Sequence, residues 1–234
     1  MIGHFFRIIL IQPLINLLVL GYNFVPGHDV GVVIILVTLI VRLILAPSFH
    51  KSIKSQKNMT ALQPKLNEIR EKHKNDREAQ AKEMMALYKE YNISPFSSCL
   101  PLLIQLPILI ALYQVFIISL RGTTDLGTYL YHFVHNPGHL NPLFLHYINL
   151  AKPNFILGIL AGITQFFQSK MLIPRQSSND PTQKAMQLQT LYILPIITII
   201  ISLRLPAGLP LYWLATTVFS IAQQYYIMRA TPAA

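Results

Sequence analysis

The sequence predicts an all-α, polytopic membrane protein. Hydrophobic residues make up 53% of the 234-residue chain and charged residues only 12%, against about 25% charged residues in ordinary soluble domains. Several charge-poor apolar runs approach the roughly 20 residues that a helix needs to cross a hydrocarbon core about 30 Å thick. This length leaves room for one membrane domain and one modest element outside the membrane.

The first apolar run, Phe5 to Phe24, has two interpretations. It is interrupted by four residues, Arg7, Gln12, Pro13 and Asn16. A spanning helix and an amphipathic helix lying on the membrane surface both fit this pattern. A turn follows at Pro26 to Asp29, and we expect Asp29 to cap the next helix. Residues 1–28 are therefore treated as a separate N-terminal segment, and residues 29–234 as the core.

The first core span is predicted at residues 30–48, and it contains one charge, Arg42. An arginine near the centre of a spanning helix costs roughly 2.5 to 3.5 kcal/mol on insertion scales, so it usually faces protein or water and often marks a site. The alternative is snorkelling, because Arg42 lies only about 9 Å from the end of the run at Ser48.

A polar segment, residues 49–94, follows this span. Its ten Lys/Arg residues outnumber its six acidic residues, which predicts a cytoplasmic location by the positive-inside rule. Two amphipathic helices, with a turn at His73 to Glu78, are indicated by apolar residues at spacings of three and four: Met59, Leu62, Leu66, Ile69, Met84, Tyr88 and Tyr91. The hairpin is either a self-contained solvated pair or a docking arm that contacts nascent chains, ribosome or lipid headgroups through Met84, Met85 and Tyr88.

Four more spans are predicted, at about residues 95–120, 154–173, 188–204 and 209–228. Their alternation places the C-terminus in the cytoplasm. Four histidines lie in the outer loop, His132, His135, His139 and His146. They predict no metal site, because the intervening Gly and Pro residues give no fixed face and no acidic residue or cysteine joins them. The sequence also predicts no other cofactor, and the single Cys99 excludes an intramolecular disulfide.

The motifs of the common enzyme classes are missing from the sequence, and no Asp or Glu lies within a predicted span. An ion-coupled transporter would be expected to have such carboxylates. The polar residues of the spans are neutral apart from Arg42: Thr38, Gln105, Gln165, Gln168, Thr216, Ser220 and Gln223. Thr38 lies one turn before Arg42 on the same face. These residues either bond the helices together or line a wet, positively charged cavity open to the cytoplasm.

Nearly the whole chain resembles the YidC membrane-protein insertase family, in its short bacterial form without a large periplasmic domain. The resemblance rests on five stretches: IILVTLIVRLILAP (34–47), the hairpin patches LQPKLNEIREKHKND and AKEMMALYKEY, CLPLLIQLPILIALY (99–113), GITQFFQSKM (162–171) and LPAGLPLYWLATTVFSIAQQ (205–224). It implies five core spans around a hydrophilic groove that is open to the cytoplasm and closed outside. Arg42 matches the positive charge of that groove, and Gln105, Gln168 and Trp213 match polar or aromatic positions near it.

The resemblance further implies that Phe5 to Phe24 is an interfacial helix and that the protein inserts nascent membrane proteins into the inner membrane. Its other candidate partners are the lipid bilayer, the Sec translocon, the ribosome and the signal recognition particle pathway, with no specific nucleic acid. The alternative function is a Sec-associated membrane chaperone in which Arg42 has a structural role.

Overall fold

A computed structural model describes residues 2–91, 100–120, 125–173 and 181–230. Within these residues the chain forms α1 (Ile2–Phe6), α2 (Gln12–Phe24), α3 (Val30–Ala61), α4 (Gln63–Lys72), α5 (Arg77–Glu90), α6 (Leu100–Leu120), α7 (Phe155–Leu172), α8 (Pro181–Leu188), α9 (Leu194–Ser202) and α10 (Gly208–Ala230). Two π-helical turns, Arg7–Ile11 and Gln189–Ile193, join α1 to α2 and α8 to α9. Two short antiparallel strands, β1 (Leu143–Phe144) and β2 (Ile148–Asn149), lie between α6 and α7.

Five helical segments of the described chain are long and apolar enough to cross a membrane: Gly3–Phe24, Val30–Ala61, Leu103–Leu120, Phe155–Leu172 and Lys184–Ser202. The predicted class, an all-α polytopic membrane protein, is confirmed. These five segments differ from the five predicted core spans at both ends of the chain. They include the N-terminal helix, and they do not include the predicted last span, 209–228. The corresponding helix, α10, is 23 residues long, but its face toward the bundle carries hydroxyl and amide side chains that lower its mean hydropathy.

The apolar surface of the helices is consistent with lipid contact. The exposed large hydrophobic residues on α7 and α9 include Phe155, Ile156, Ile159, Leu160, Ile163, Phe167, Leu194, Ile196, Ile197, Ile200 and Ile201. Patches of this extent are rare on soluble monomers. We infer that these faces of α7 and α9 contact acyl chains.

Helix α3 is the longest element, with 32 residues and a length of about 48 Å. It exceeds the roughly 30 Å of the hydrocarbon core. The predicted span ended at residue 48, where polar residues begin, but the helix continues to Ala61 with Pro47 inside it. The first part of the predicted hairpin segment, residues 49–61, is therefore a direct extension of the span that contains Arg42. Residues 92–94 of that segment and residues 95–99 of the next predicted span lie outside the described residues.

Asp29 fixes the start of α3, as expected for a capping residue. One carboxylate oxygen accepts hydrogen bonds from the Gly31 and Val32 amides at 2.8 and 3.1 Å, and the other accepts from the Leu145 amide at 2.6 Å. Leu145 lies in the turn between β1 and β2, so the same side chain also holds the loop. Gly31 allows this close approach, because a Cβ there would lie 2.1 Å from the Phe144 ring.

The N-terminal helix is bound to the same loop. The Asn16 amide group donates to the Tyr129 carbonyl at 2.9 Å, and the Asn16 carbonyl oxygen accepts from the Tyr131 amide at 2.7 Å. Gly21 packs against Val33 of α3, where an added Cβ would lie 2.6 Å from a methyl carbon. The helix is thus an integral part of the packed core, and its assignment to the membrane surface stays a prediction.

Helices α7, α9 and α10 pack closely through small and polar residues. A Cβ at Gly162 would lie 2.4 Å from Ile199, and one at Gly158 would lie 2.9 Å from Ser202. The Thr198 hydroxyl donates to the Gln165 side-chain oxygen at 2.6 Å, which joins α9 to α7. For Gln165, the structure therefore supports a role in bonding helices together.

Candidate functional site

Arg42 lies on the buried side of α3. The residue is only 7% exposed, and its guanidinium carbon lies 4.4 Å from the centroid of the Phe49 ring, two turns further along the same helix. Among the described residues it forms no ion pair with a carboxylate. A cation–π contact contributes only about 0.5 to 2 kcal/mol, so it offsets a small part of the cost of burying a charge.

Tyr212 of α10 is the residue on which three of the predicted site residues converge. The Gln105 amide group donates to the Tyr212 hydroxyl at 3.0 Å, and the hydroxyl also interacts electrostatically with Arg42. Thr38 and Tyr212 line one small apolar cavity of about 20 Å³. The Thr38 hydroxyl donates to the Ile34 carbonyl at 2.6 Å, so its proton is committed to its own helix.

Sequence reasoning missed Tyr212, because a tyrosine in an apolar run looks like an ordinary core residue. The available signal was the spacing of the residues after it. Tyr212, Thr216, Ser220 and Gln224 recur every fourth position, which places them on one helical face, and all four are buried.

We call this α10 face, together with Thr38, Arg42 and Ser52 of α3, the polar seam. All seven residues are buried. The Gln223 amide group crosses between the two helices and donates to the Ala46 carbonyl at 3.3 Å. The side-chain oxygen of Gln224 is buried without a hydrogen-bond partner in the described part of the chain. Buried polar atoms normally have a partner, so this oxygen is an unsatisfied hydrogen-bond acceptor within the seam.

Gln168 lies in a different place from Arg42. It lines an open cavity of about 430 Å³ between α3, α7 and the α8–α9 segment, together with four other glutamines, Gln56, Gln63, Gln165 and Gln187. We call this the glutamine cavity. Gln56 lies about 21 Å along α3 from Arg42, at the end of the helix that leads to the hairpin. Trp213 is half-buried beside Tyr212, and its carbonyl accepts from the Thr217 hydroxyl at 2.9 Å.

The two helices of the hairpin, α4 and α5, pack against each other through their apolar residues. Leu62 and Leu66 pack with Met59, Met84, Leu87, Tyr88 and Tyr91. Two of the three predicted contact residues, Met84 and Tyr88, therefore face the partner helix. Met85 lies on the other side of α5 and is 48% exposed, because consecutive helical residues point about 100° apart. Met85 is the most exposed of the three, whereas Met84 and Tyr88 are half-buried.

A charged cluster joins α4 to α5 near their turn. The Lys72 ammonium donates to Glu83 at 3.0 Å, and His73 contacts the same carboxylate. Hydrogen bonds from Lys72 and from His73 hold the pKa of Glu83 below its usual value of 4.5. Because the folded-state pKa is depressed, the stabilisation is complete above about pH 4.5 and is lost as the pH falls through the folded-state pKa.

Acidification should therefore loosen the hairpin. We expect amide hydrogen exchange of α5, corrected for the intrinsic rate, to become faster as the pH is lowered below about 4.5. Glu83→Gln should exchange faster at neutral pH and lose this pH dependence. The effect should be small, because surface ion pairs contribute little. If the Glu83→Gln protein keeps the full pH dependence, then protonation of Glu83 is not its cause.

Removing the Tyr212 hydroxyl tests the connection between α6 and α10. We expect Tyr212→Phe to destabilise the protein by about 1 kcal/mol, because the Gln105 amide group loses its partner. The double variant Tyr212→Phe/Gln105→Leu should be no less stable than the single one, since no unsatisfied amide remains. Thermal unfolding in detergent measures the stability of both variants. If the loss in the double variant equals the sum of the losses from Tyr212→Phe and Gln105→Leu, the two side chains are not coupled.

These observations define a class of protein: a multi-pass membrane protein built of apolar helices around a buried polar seam. A family model described as 60Kd inner membrane protein matches residues 21–234. The chain belongs to this family, the YidC insertase family, and is a multi-pass protein of the bacterial inner membrane.

Curated relatives named "Membrane protein insertase YidC" come from several bacteria. That of Nitratidesulfovibrio vulgaris strain DP4 is 36% identical over 220 residues, which cover 93% of this chain and 38% of the relative. Those of Maridesulfovibrio salexigens and Geotalea daltonii are 38% and 37% identical over 94% and 96% of this chain, and over 38% of each relative. The chain thus spans well under half the length of these relatives.

Proposed function

We propose that this protein inserts other proteins into the bacterial inner membrane and that Arg42 is the charge that attracts their polar segments. The observation on which the proposal rests is a buried arginine that has no carboxylate partner among the described residues and lies beside neutral polar side chains. A structural arginine in a membrane helix is normally paired. An arginine of this kind is suited to receive a carboxylate from another chain.

The energetics favour such a pathway. A polar tail that crosses lipid is opposed by about 2.5 to 3.5 kcal/mol for each charged residue, whereas Leu, Ile, Phe and Val each contribute about −0.3 to −0.6 kcal/mol. A span with about 15 such residues therefore gains roughly 5 to 9 kcal/mol on entering lipid. The polar seam lowers the free-energy cost of moving the polar tail across the membrane, because it supplies hydrogen bonds. Hydrophobic partitioning of the substrate's apolar span along the exposed helices then supplies the driving force. This step needs no nucleotide hydrolysis.

The remaining site residues have roles in the same pathway. The glutamine cavity with Gln168 is the cytoplasmic entrance of a hydrophilic groove, and Thr38, Gln105 and Trp213 border its inner part near Arg42. The hairpin of residues 49–94 lies in the cytoplasm and offers Met85 to incoming chains. The C-terminus is cytoplasmic, residues 1–28 form the interfacial helix, and the ribosome, the signal recognition particle pathway and the Sec translocon are candidate partners.

One observation favours a second function, a Sec-associated chaperone that helps membrane proteins fold. The guanidinium of Arg42 already contacts Phe49, as expected if the arginine orders α3 rather than binding a substrate. Reconstitution separates the two functions. Insertion of a short single-span protein with an acidic tail into liposomes containing only this protein would support an autonomous insertase. Insertion that requires added Sec translocon would support the chaperone. If the substrate is not inserted with or without the Sec translocon, the result contradicts both proposed functions.

A further inference from the structure

The connection between α6 and α7 is uncharged over most of its length. From Leu126 to Ala151 the sequence contains no Asp, Glu, Lys or Arg, whereas the hairpin segment, residues 49–94, contains ten basic and six acidic residues. Uncharged segments rich in aromatic residues are typical of the boundary between a bilayer and water. The two connections are therefore suited to different surroundings.

Four large apolar side chains are exposed at this end of the bundle. The exposed fractions are 80% for Phe24, 66% for Phe133, 55% for Leu145 and 90% for Tyr147. We call these four residues the apolar rim. Because most of the surface of each side chain lies outside the packed core, the rim contributes little to the stability of the fold.

Hydrogen bonds hold the segments of the rim together at one end of the molecule. The Asn23 side-chain amide, beside the first rim residue, donates to the His135 carbonyl at 2.8 Å, two residues after the second. The Leu145 amide donates to the Asp29 carboxylate at 2.6 Å, which is the cap of α3. The rim residues therefore belong to the same end of the bundle, although they come from distant parts of the sequence.

The turn that contains Leu145 and Tyr147 lies against the first turn of α3. A Cβ at Gly31 would lie 2.1 Å from the Phe144 ring, so β1 contacts the helix where the helix begins. The apolar run of α3, residues 30–48, measures about 27 Å, close to the thickness of the hydrocarbon core. A spanning α3 therefore places this turn at the boundary between acyl chains and headgroups.

The backbone of this turn is unfavourable for the residues that it contains. The Tyr147 amide donates to the Phe144 carbonyl at 3.1 Å, and the two residues between them, Leu145 and His146, have φ angles of 50° and 67°. A turn with positive φ at both central positions prefers Asn-Gly or Asp-Gly. Leu145 is exposed, so its side chain gains little from packing within the chain. A contact outside the chain accounts for a leucine at this position.

We propose that the apolar rim inserts into the interfacial region of the bilayer at this end of the bundle and anchors the α6–α7 connection to lipid. Tyr147 suits this environment, because its ring is apolar and its hydroxyl can reach water. A protein partner would have to displace lipid from the rim, since the bilayer boundary already lies at this depth. The proposal concerns a lipid contact and is independent of insertion activity.

Spin labelling in nanodiscs that each hold one copy of the protein tests this contact. Single cysteines replace Leu145 or Tyr147 in a Cys99→Ala background and receive a nitroxide label. Oxygen concentrates in lipid and a nickel chelate stays in water, so we expect the ratio of oxygen to chelate collisions to be several-fold higher at the rim than at two exposed lysines. Lys152 is the matched control in the same connection, and Lys82 on the hairpin gives the value for water.

Labels at Phe24 and Phe133 repeat the measurement, so the test does not depend on one turn. Equal ratios at the rim and at Lys152 would show that the rim faces water and would overturn the proposal. Rare collisions with both reagents would also overturn it, because a nanodisc with one copy holds no other protein and the rim would then be packed against its own chain. Each labelled protein should keep the wild-type unfolding temperature, which shows that the label reports on the native fold.

Discussion

Insertion of a substrate with an acidic N-terminal tail is expected to fall at least about tenfold when Arg42 is replaced by alanine, since a hydrogen bond to a charged group contributes about 1.5 to 3 kcal/mol. Arg42 is the only cation of the polar seam, so no described seam residue can replace its charge. The measurement is protease protection of the translocated tail in liposomes that contain only this protein.

Three controls make the Arg42 result specific. Arg42→Lys should keep most of the activity, because attraction over several ångströms depends on charge more than on the planar guanidinium. Arg204→Ala removes a positive charge at an exposed position and should have little effect. A substrate whose tail has neutral amides in place of carboxylates should be insensitive to Arg42→Ala. Equal losses for acidic and neutral tails would instead show that Arg42 stabilises the structure.

Gly162→Leu is expected to separate α7 from α9 and to produce the largest loss of stability among the substitutions considered. A Cβ at this position would lie 2.4 Å from a side-chain carbon of Ile199 and 3.0 Å from the Pro195 carbonyl oxygen. The isoleucine can move, but the backbone oxygen cannot move without shifting the helix. Inserting atoms into a packed interface typically costs about 1 to 3 kcal/mol, and a leucine adds more than one methyl group.

The stability loss is measured as the midpoint of thermal unfolding in detergent and as the fraction that remains monodisperse. Gly162→Ala should give a smaller loss in the same direction. Leu160→Ala, on the exposed face of the same helix, should change the midpoint little. If Gly162→Leu unfolds at the wild-type temperature, the helices are not in the close contact described here.

The apolar runs were sufficient to predict the class of fold, because a membrane helix must satisfy its backbone internally and cover it with apolar side chains. The cap at Asp29 was also predictable, since it depends only on neighbouring residues. The full length of α3 was not, because polarity marks where the bilayer ends and not where a helix ends. Polar residues 49–61 continue the helix with no breaking signal apart from Pro47, which α3 accommodates.

Relationships between helices were the least predictable part of the candidate site. Gln105 and Gln168 look alike in the sequence, yet one bonds to Tyr212 and the other lines the glutamine cavity. Their separation depends on how far each helix is displaced along the bundle, and hydropathy does not encode that displacement. The same limit explains why Met84 and Met85 were grouped together, although one packs in the hairpin and the other is exposed.

The continuity of α3 has a mechanical consequence. Its N-terminal end is fixed by the Asp29 carboxylate, and its C-terminal end leads directly into the hairpin. A helix about 48 Å long that tilts by roughly 10° about the fixed end moves its far end by about 8 Å. A displacement of the hairpin would therefore be transmitted along the continuous helix toward Arg42. Pro47 leaves the Leu43 carbonyl without its helical partner, so it is the position at which we expect α3 to bend most easily.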